Sequence, residues 1–428
     1  MKKVFIKTYG CAHNQADSES MTGQLVQEGF KIVEDIRKAD VVIINTCTVK
    51  DPAEKKFFSE LSKIKKPVVV AGCIPQADRR NVVLKDYSLI GIKQIDKICE
   101  VVSQTLEGNI VHLLDNNGIG AGLDLPRIRR NTIIEIIPIS NGCLGYCSFC
   151  KTKFARGELA SFKEEDIIKR ARDALNEGVK EIWLTSEDTG AYGLDIGTSL
   201  PKLLKSILLT PKDFKIRIGM INPEHVKNYC DELIQIYKDP RVFKFLHIPV
   251  QSGNDRILRL MKRLYTIKEF KNTVKKIKEG VPKITISTDI ICGFPSETDE
   301  EFEDTLNLVR ELKFPVINIS KFYARRGTIA AKMKPLNSMT VKERSKVLSI
   351  LFTKVSEHKK WVGWRGTVLI NERGKNGTFI GRNDFYKPVI VKGKNILGKK
   401  LDVEVVRSNR DYLEGKNQKD FYEPKKEY

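Results

Sequence analysis

Residues 136–157 read IIPISNGCLGYCSFCKTKFARG, and this stretch decides how the rest of the chain is organised. It begins inside the β-branched run IIEIIPIS of residues 133–140, which predicts a strand. Cys143, Cys147 and Cys150 therefore fall on the loop at the carboxyl end of that strand. The Cys-x3-Cys-x2-Cys spacing lets one short loop turn three thiols to one side, and Gly142 and Gly145 let the backbone fold tightly around them. Thiolates are soft ligands and suit iron–sulfur clusters or zinc. A structural zinc site normally closes with four ligands, in paired Cys or Cys/His units. No fourth ligand stands at such a spacing here. Three thiolates on a four-iron cluster would leave one iron open, as the binding of a substrate or cosubstrate requires.

Around this loop, residues from about 130 to 325 alternate strand-like and helix-like segments. TIIEIIPIS, KEIWLTS, KIRIGMI, FKFLHIPV, ITISTDIICG and VINISKFY predict strands. FKEEDIIKRARDALNEG, NDRILRLMKR and TDEEFEDTLNLVREL predict helices between them. The last opens with Thr298-x-x-Glu301, a capping box that satisfies amides left free at a helix start. Six βα units suggest a partial barrel with its site at the strand carboxyl ends. An open doubly wound sheet has the same periodicity, so both architectures stand at this point.

Upstream, residues 1 to about 110 show the same alternation. VFIKTYGC, DVVIINTC and PVVVAGC are apolar runs, each closed by a cysteine, and helical patterns lie between them. Continuous apolar strands alternating with helices predict a parallel sheet covered on both faces. Strand ends of such a sheet converge on one edge, so Cys11, Cys47 and Cys73 are expected to meet. They form a second set of three thiols without a fourth, with His13 and Asn45 as polar neighbours in sequence. Cys99, Cys230 and Cys292 fit ordinary core filling instead. A linker around DNNGIGAGLDLP is expected between this region and the barrel.

Downstream, the helical connector VKERSKVLSILFTKVSEHKKW leads into WRGTVLINERG, TFIGRND, YKPVIVKG and KKLDVEVVRS, short strands separated by turns. They predict a small antiparallel β-barrel. Residues 360–428 carry 16 basic and 9 acidic side chains, and the whole chain of 428 residues has a formal charge of +21. This balance points to a polyanionic partner, RNA for a small basic barrel, rather than to DNA. No apolar run approaches the roughly 20 residues that span a bilayer, and neither end reads as a signal or anchor, so a cytoplasmic protein with no membrane partner is expected. The odd count of nine cysteines in such a setting argues for metal sites over disulfides.

The Cys143–Cys150 loop, with Phe149 inside its last Cys-x2-Cys, resembles the motif of radical S-adenosylmethionine (SAM) enzymes. TYGCAHNQADSE, INTCTVK, VAGCIPQ, LTSEDTGAYG, HIPVQSGND, MKRLYT and TDIICGFPSETDEEF extend the likeness over nearly the whole chain. Together they resemble the radical SAM methylthiotransferases, and CKTKFARG, with Lys151-Thr152-Lys153, is similar to their archaeal and eukaryotic branch. The resemblance implies a mixed α/β fold in three parts: a methylthiotransferase N-terminal domain over residues 1–112, a partial (β/α)6 radical SAM barrel over 128–358, and a TRAM barrel over 360–428.

It further implies two 4Fe–4S clusters and SAM as cofactors. Cys143, Cys147 and Cys150 would bind the SAM-cleaving cluster, and Cys11, Cys47 and Cys73 the auxiliary cluster that holds the sulfur. Ser186, Glu187 and Asp188 stand where radical SAM enzymes contact the SAM amino group, although the usual glycines are absent. Gln251, Ser252, Gly293 and Glu297 are expected on the cofactor face, and Arg156 beside a SAM or substrate anion. Arg156, Arg325 and Arg326 are equally placed for tRNA phosphates. The implied reaction is 2-methylthiolation of N6-threonylcarbamoyladenosine at tRNA position 37, with an external electron donor and sulfur source. N6-isopentenyladenosine and a ribosomal-protein aspartate are the competing substrates within the family. A zinc-holding RNA-binding protein without catalysis is the reading from outside it.

Overall fold

A computed structural model describes residues 1–48, 51–115 and 122–417. Half of the expected linker, residues 116–121, and the last 11 residues of the C-terminal segment, 418–428, lie outside the described residues.

The N-terminal part is a six-stranded parallel sheet made of β1 (Lys3–Thr8), β2 (Lys31–Ile32), β3 (Val41–Thr46), β4 (Val68–Gly72), β5 (Ser88–Ile90) and β6 (His112–Leu113), in the order β2-β1-β3-β4-β5-β6. All residues of β3 and β4 are buried. Their side chains alternate between two cores. Val41, Ile43, Val69 and Ala71 pack with Met21, Ile98 and Val102 on one face, while Val42, Ile44, Val68 and Val70 pack with Phe57, Leu61 and Leu84 on the other. The period of two explains the continuous apolar runs, since each face needs every second residue. Burying each such side chain contributes about 1.5–3 kcal/mol.

Next come β7 (Ile134–Pro138), a small ribbon of β8 (Ser140–Asn141) with β9 (Ala160–Ser161), then β10 (Glu181–Thr185), β11 (Lys215–Ile218), β12 (Phe245–His247), β13 (Thr285–Cys292) and β14 (Val316–Lys321). β7, β10 and β11 form one parallel sheet, and β12, β13 and β14 another. Parallel bridges from Ile216 to Val242 and from Met220 to His247 carry the order from β11 to β12. Spatial order thus follows chain order through six strands, whereas a doubly wound sheet would reverse midway. The partial barrel is the architecture present. Its longer helices are Glu164–Asn176, Leu200–Leu208, Cys230–Tyr237, Ile267–Gly280, Asp299–Leu312 and Ser338–Val355. Thr298 and Glu301 do form the reciprocal capping box.

The C-terminal part is a closed barrel of β15 (Arg365–Arg373), β16 (Thr378–Arg382), β17 (Pro388–Lys392), β18 (Lys400–Ser408) and β19 (Leu413–Asn417), in the order β15-β16-β17-β19-β18. One seam, β17 with β19, is parallel, which corrects the purely antiparallel expectation. A closed ring with an odd number of strands cannot alternate direction all the way round. This barrel docks on the amino-terminal ends of the central strands: Asn371 Nδ2 donates to Glu181 Oε2 at 2.6 Å, and the Lys244 amide to the Asp384 carbonyl at 2.7 Å. It therefore sits opposite the face that carries Cys143. Among the described residues no helix is long and apolar enough to cross a membrane.

Candidate functional site

Cys143, Cys147 and Cys150 lie on the loop after β7, as the spacing predicts. A Cβ added to Gly145 would stand 3.5 Å from Cys143 Sγ and 3.8 Å from Cys147 Sγ, so two of the sulfurs flank this glycine. The Gly145 amide donates to Cys143 Sγ at 3.3 Å, and Arg263 Nη1 donates to Cys147 Sγ at 3.1 Å. Gly142 has φ 72°, and a Cβ there would meet the Glu158 carbonyl oxygen at 1.8 Å. Ser148 ties the loop down, accepting from the Ala330 amide at 2.8 Å and donating its hydroxyl to the Leu260 carbonyl at 2.7 Å. Phe149 packs edge-on against Phe294. Lys153 Nζ holds the Cys143 carbonyl at 2.8 Å.

The N-terminal cysteines converge. Cys11 precedes the helix Ala12–Gln27, Cys47 follows β3, and Cys73 opens the helix Cys73–Ala77 after β4. β1, β3 and β4 are neighbours, with Thr8 opposite Asn45 and Thr46 opposite Gly72. A Cβ at Gly10 would stand 2.6 Å from Cys47 Cβ, and one at Gly72 2.3 Å from Asn45 Oδ1. Two glycines thus let the three loops close together. Asn14 links them, lying 3.3 Å from Cys11 Sγ and 3.8 Å from Cys73 Sγ. Asn45 is a structural neighbour rather than a ligand, since its amide donates to the Asn14 carbonyl and to Ser18 Oγ.

Burial pushes the Cys11 thiol up to about 11 and the Cys143 thiol up to about 12. Burial raises Cys73 and Cys147 as well. Thiols held up in this way become thiolates when a metal compensates the charge. Among the described residues no three His, Cys, Asp or Glu side chains close on one metal-ion position. A four-iron cluster takes each thiolate on a different iron and needs them spread around it. With soft donors in threes, and N–H groups aimed at two sulfurs of the central loop, the residues fit such a cluster there.

The segments that carry the two cysteine sets meet at a charged junction. Arg156, 2% exposed, donates from Nη2 to Asp17 Oδ2 at 2.7 Å and lies 3.4 Å from Glu187 Oε1. Glu187 Oε1 is 3.1 Å from His13 Nδ1, and its buried Oε2 has no partner among the described residues. Cys73 and Cys11 lie close enough that their thiolate forms would raise the basicity of Arg156. Arg156 is therefore enclosed between the domains and closed to an RNA phosphate. Arg325 is likewise buried, on Glu54, while Arg326 is exposed.

The polar residues expected on the cofactor face divide. Glu187 reaches the junction and Gln251 lines a cavity. Asp188 is spent inside the fold, accepting from the amides of Gly190 and Asn222 and from Asn222 Nδ2, with His225 Nε2 at 3.2 Å. Ser186 Oγ accepts from the Asp188 amide and Ser252 Oγ from the Asn254 amide. Glu297 accepts from the Gly293 amide and from Arg344 of the connector helix. These four hold turns, because a short polar side chain after a strand finds backbone amides first. The cavity, about 650 Å³, lies between Phe149 and the ends of β12–β14. His247, Asp289 and Asn318 enter it joined by bonds to Asp289 Oδ1 at 3.0 and 2.7 Å. Sequence reasoning quoted HIPVQSGND, MKRLYT and TDIICG but missed His247, Arg263 and Asp289 within them. Their partners are long-range.

This fold and site define a radical SAM protein with an added N-terminal sheet domain and a C-terminal barrel. Residues 137–309 match the radical SAM superfamily, 359–417 the TRAM domain, and 3–90 a group described only as "Uncharacterized protein family UPF0004". Over 98% of its length the chain is 47% identical to the threonylcarbamoyladenosine tRNA methylthiotransferase of Xenopus laevis, covering 78% of that protein. The human protein of the same name is also 47% identical, over 97% of this chain and 74% of its own length. A probable member from Pyrococcus abyssi is 40% identical, over 97% of this chain and 99% of its own. The chain belongs to the threonylcarbamoyladenosine tRNA methylthiotransferase family. Among solved structures, the radical SAM methyltransferase TsrM of Kitasatospora setae shares the fold, with a TM-score of 0.53 at 15% identity over 75% of this chain and 73% of its own. SAM and one 4Fe–4S cluster are the cofactors that go with the central domain.

Proposed function

We propose that the protein methylthiolates C2 of N6-threonylcarbamoyladenosine at position 37 of tRNA. The observation that carries this reading is the meeting of two cysteine triads: Cys73 opens a helix that packs on the helix Thr152–Arg156 just after Cys150. One triad alone would serve radical chemistry in general, whereas a second beside it gives a place for sulfur. Relatives at 47% identity carry the corresponding name.

In this reading Cys143, Cys147 and Cys150 hold the SAM-cleaving cluster, and Cys11, Cys47 and Cys73 hold a second, auxiliary 4Fe–4S cluster. With SAM bound, the first would supply the electron that frees a carbon radical from SAM, able to remove an unactivated hydrogen, and the second would supply the sulfur that is transferred. The chain's own work is to hold and orient. Arg263 and the Gly145 amide direct N–H groups at the first triad's sulfurs. Glu187 offers its free oxygen at the junction to the SAM amino group, and Gln251 faces the cavity that takes the adenosine. The parts correspond to residues 1–112, 128–358 and 360–428, the last binding RNA, with Arg326 available to a phosphate. The reductant and the sulfur come from outside, in the cytoplasm.

The test is Cys73→Ala in the full-length protein, scored by mass spectrometry of tRNA nucleosides and of 5′-deoxyadenosine. SAM cleavage should persist while the methylthio product disappears. Product from Cys73→Ala would remove the two-cluster reading, and unchanged tRNA in a deletion strain would remove the substrate.

A further inference from the structure

Each cysteine of the N-terminal triad is followed within seven residues by an acid that is matched by a cation of the barrel domain. Asp17 lies six residues after Cys11, Glu54 seven after Cys47 and Asp78 five after Cys73. Arg156 Nη2 donates to Asp17 at 2.7 Å, Arg325 Nη1 donates to Glu54 at 2.6 Å, and Lys151 Nζ is paired with Asp78. The cations come from two places in the barrel domain. Lys151 is bonded to Cys150 in sequence, Arg156 closes the helix after it, and Arg325 follows β14 at the mouth of the barrel.

These pairs are unlike surface ion pairs. The side chains of Arg156, Asp17, Lys151 and Arg325 are 2%, 4%, 4% and 9% exposed, and those of Glu54 and Asp78 are 20% exposed. At such depth salt screens the attraction weakly, and removing one partner leaves the other charge uncompensated. The acids belong to three separate elements, the helices Ala12–Gln27 and Asp51–Leu61 and the end of Cys73–Ala77, and the cations to two, the segment 151–156 and the turn after β14, so the contacts restrain tilt as well as separation.

We propose that the three ion pairs form a clamp that sets the register of one cysteine triad against the other. Lys151, Arg156 and Arg325 are then positioning residues, and their effect falls on the coupling of radical formation to sulfur transfer. The inference rests on the two-triad reading above. An interface that merely adheres would tolerate looser pairing without losing that coupling.

The experiment compares full-length Lys151→Asp, Asp78→Lys and the double exchange, with Lys151→Gln as a milder variant should a reversed charge prevent folding. In metal-free protein, amide hydrogen exchange of residues 73–78 and 151–156 should quicken about tenfold in each single variant and return toward wild type in the double. In reconstituted protein, 5′-deoxyadenosine released per methylthiolated nucleoside should rise about tenfold and be restored likewise. Wild-type exchange in the single variants overturns the clamp. Faster exchange with an unchanged ratio overturns the positioning role. If wild-type protein yields no methylthiolated nucleoside, the proposed function fails, and the exchange arm still decides whether the pairs hold the interface.

Discussion

Arg263 Nη1 donates to Cys147 Sγ at 3.1 Å, while Nη2 of the same guanidinium donates to Asn222 Oδ1 at 2.6 Å and Nε reaches the Tyr265 hydroxyl at 3.2 Å. One buried cation thus ties a cysteine of the central loop to the turn after β11. Burial pushes the Cys147 thiol up, and the charge and N–H of Arg263 pull against that rise. Arg263→Met keeps an unbranched apolar stem and removes both. Iron bound per chain after anaerobic reconstitution, or the rate of SAM cleavage, should fall about 10- to 100-fold, the usual effect of losing an outer hydrogen bond to a metal ligand. Wild-type values for both would show that the contact does not tune the ligand.

Gly142 offers a steric counterpart. Its φ of 72° and the 1.8 Å approach to the Glu158 oxygen leave no room for a methyl group against rigid backbone. Gly142→Ala should therefore cost roughly 1–3 kcal/mol and displace the start of the cysteine loop. Urea unfolding measures the first effect, and iron retention the second. Gly108, also at positive φ but with open space around it, is the control, where alanine should leave iron binding unchanged.

Glu181, fully buried at the amino end of β10, accepts from Trp183 Nε1 at 2.5 Å and from Asn371 Nδ2 of the C-terminal barrel at 2.6 Å. Asn371→Leu would leave that carboxylate short of a donor, a loss of roughly 2–4 kcal/mol. Pairing it with Glu181→Leu should return part of the loss, because the uncompensated charge goes too. A double-mutant cycle in urea tests this, and strictly additive losses would mean that the two side chains do not interact.

What the sequence made legible was local. Strand ends followed by cysteine placed Cys11, Cys47, Cys73 and Cys143 correctly, because strand periodicity and loop position depend on neighbours a few residues away. Thr298 and Glu301 were readable for the same reason. β19 escaped because LEGKN has one buried apolar side chain and no alternation. The enclosure of Arg156 and Arg325, and the use of Asp188 and Glu297 as turn supports, depend on partners 34 to 271 residues away or on backbone amides that no pattern marks. The docking of the basic barrel on the amino-terminal ends of the strands was equally hidden. It follows from contacts such as Asn371 with Glu181 that have no sequence period.

Lys387 gives a prediction with a definite pH sign. It lines a cavity of about 560 Å³ between the two barrels, together with Lys278, Lys283, Lys360, Trp361 and Trp364. Burial, and then the charge of Lys360, bring its amine down from 10.5 to about 8. A lysine depressed in the folded state binds fewer protons there than in the unfolded chain between those two values. Stability contributed by this group therefore rises with pH across that window, and below about pH 8 the full cost of burying the charge is present. Lys387→Met removes the cost and keeps the packing of the stem. It should stabilise the protein by roughly 1–3 kcal/mol at pH 7, with the gain shrinking steadily towards pH 10. Thermal unfolding of both proteins at a series of pH values measures this, and a gain independent of pH would locate its cause in packing rather than in the buried charge.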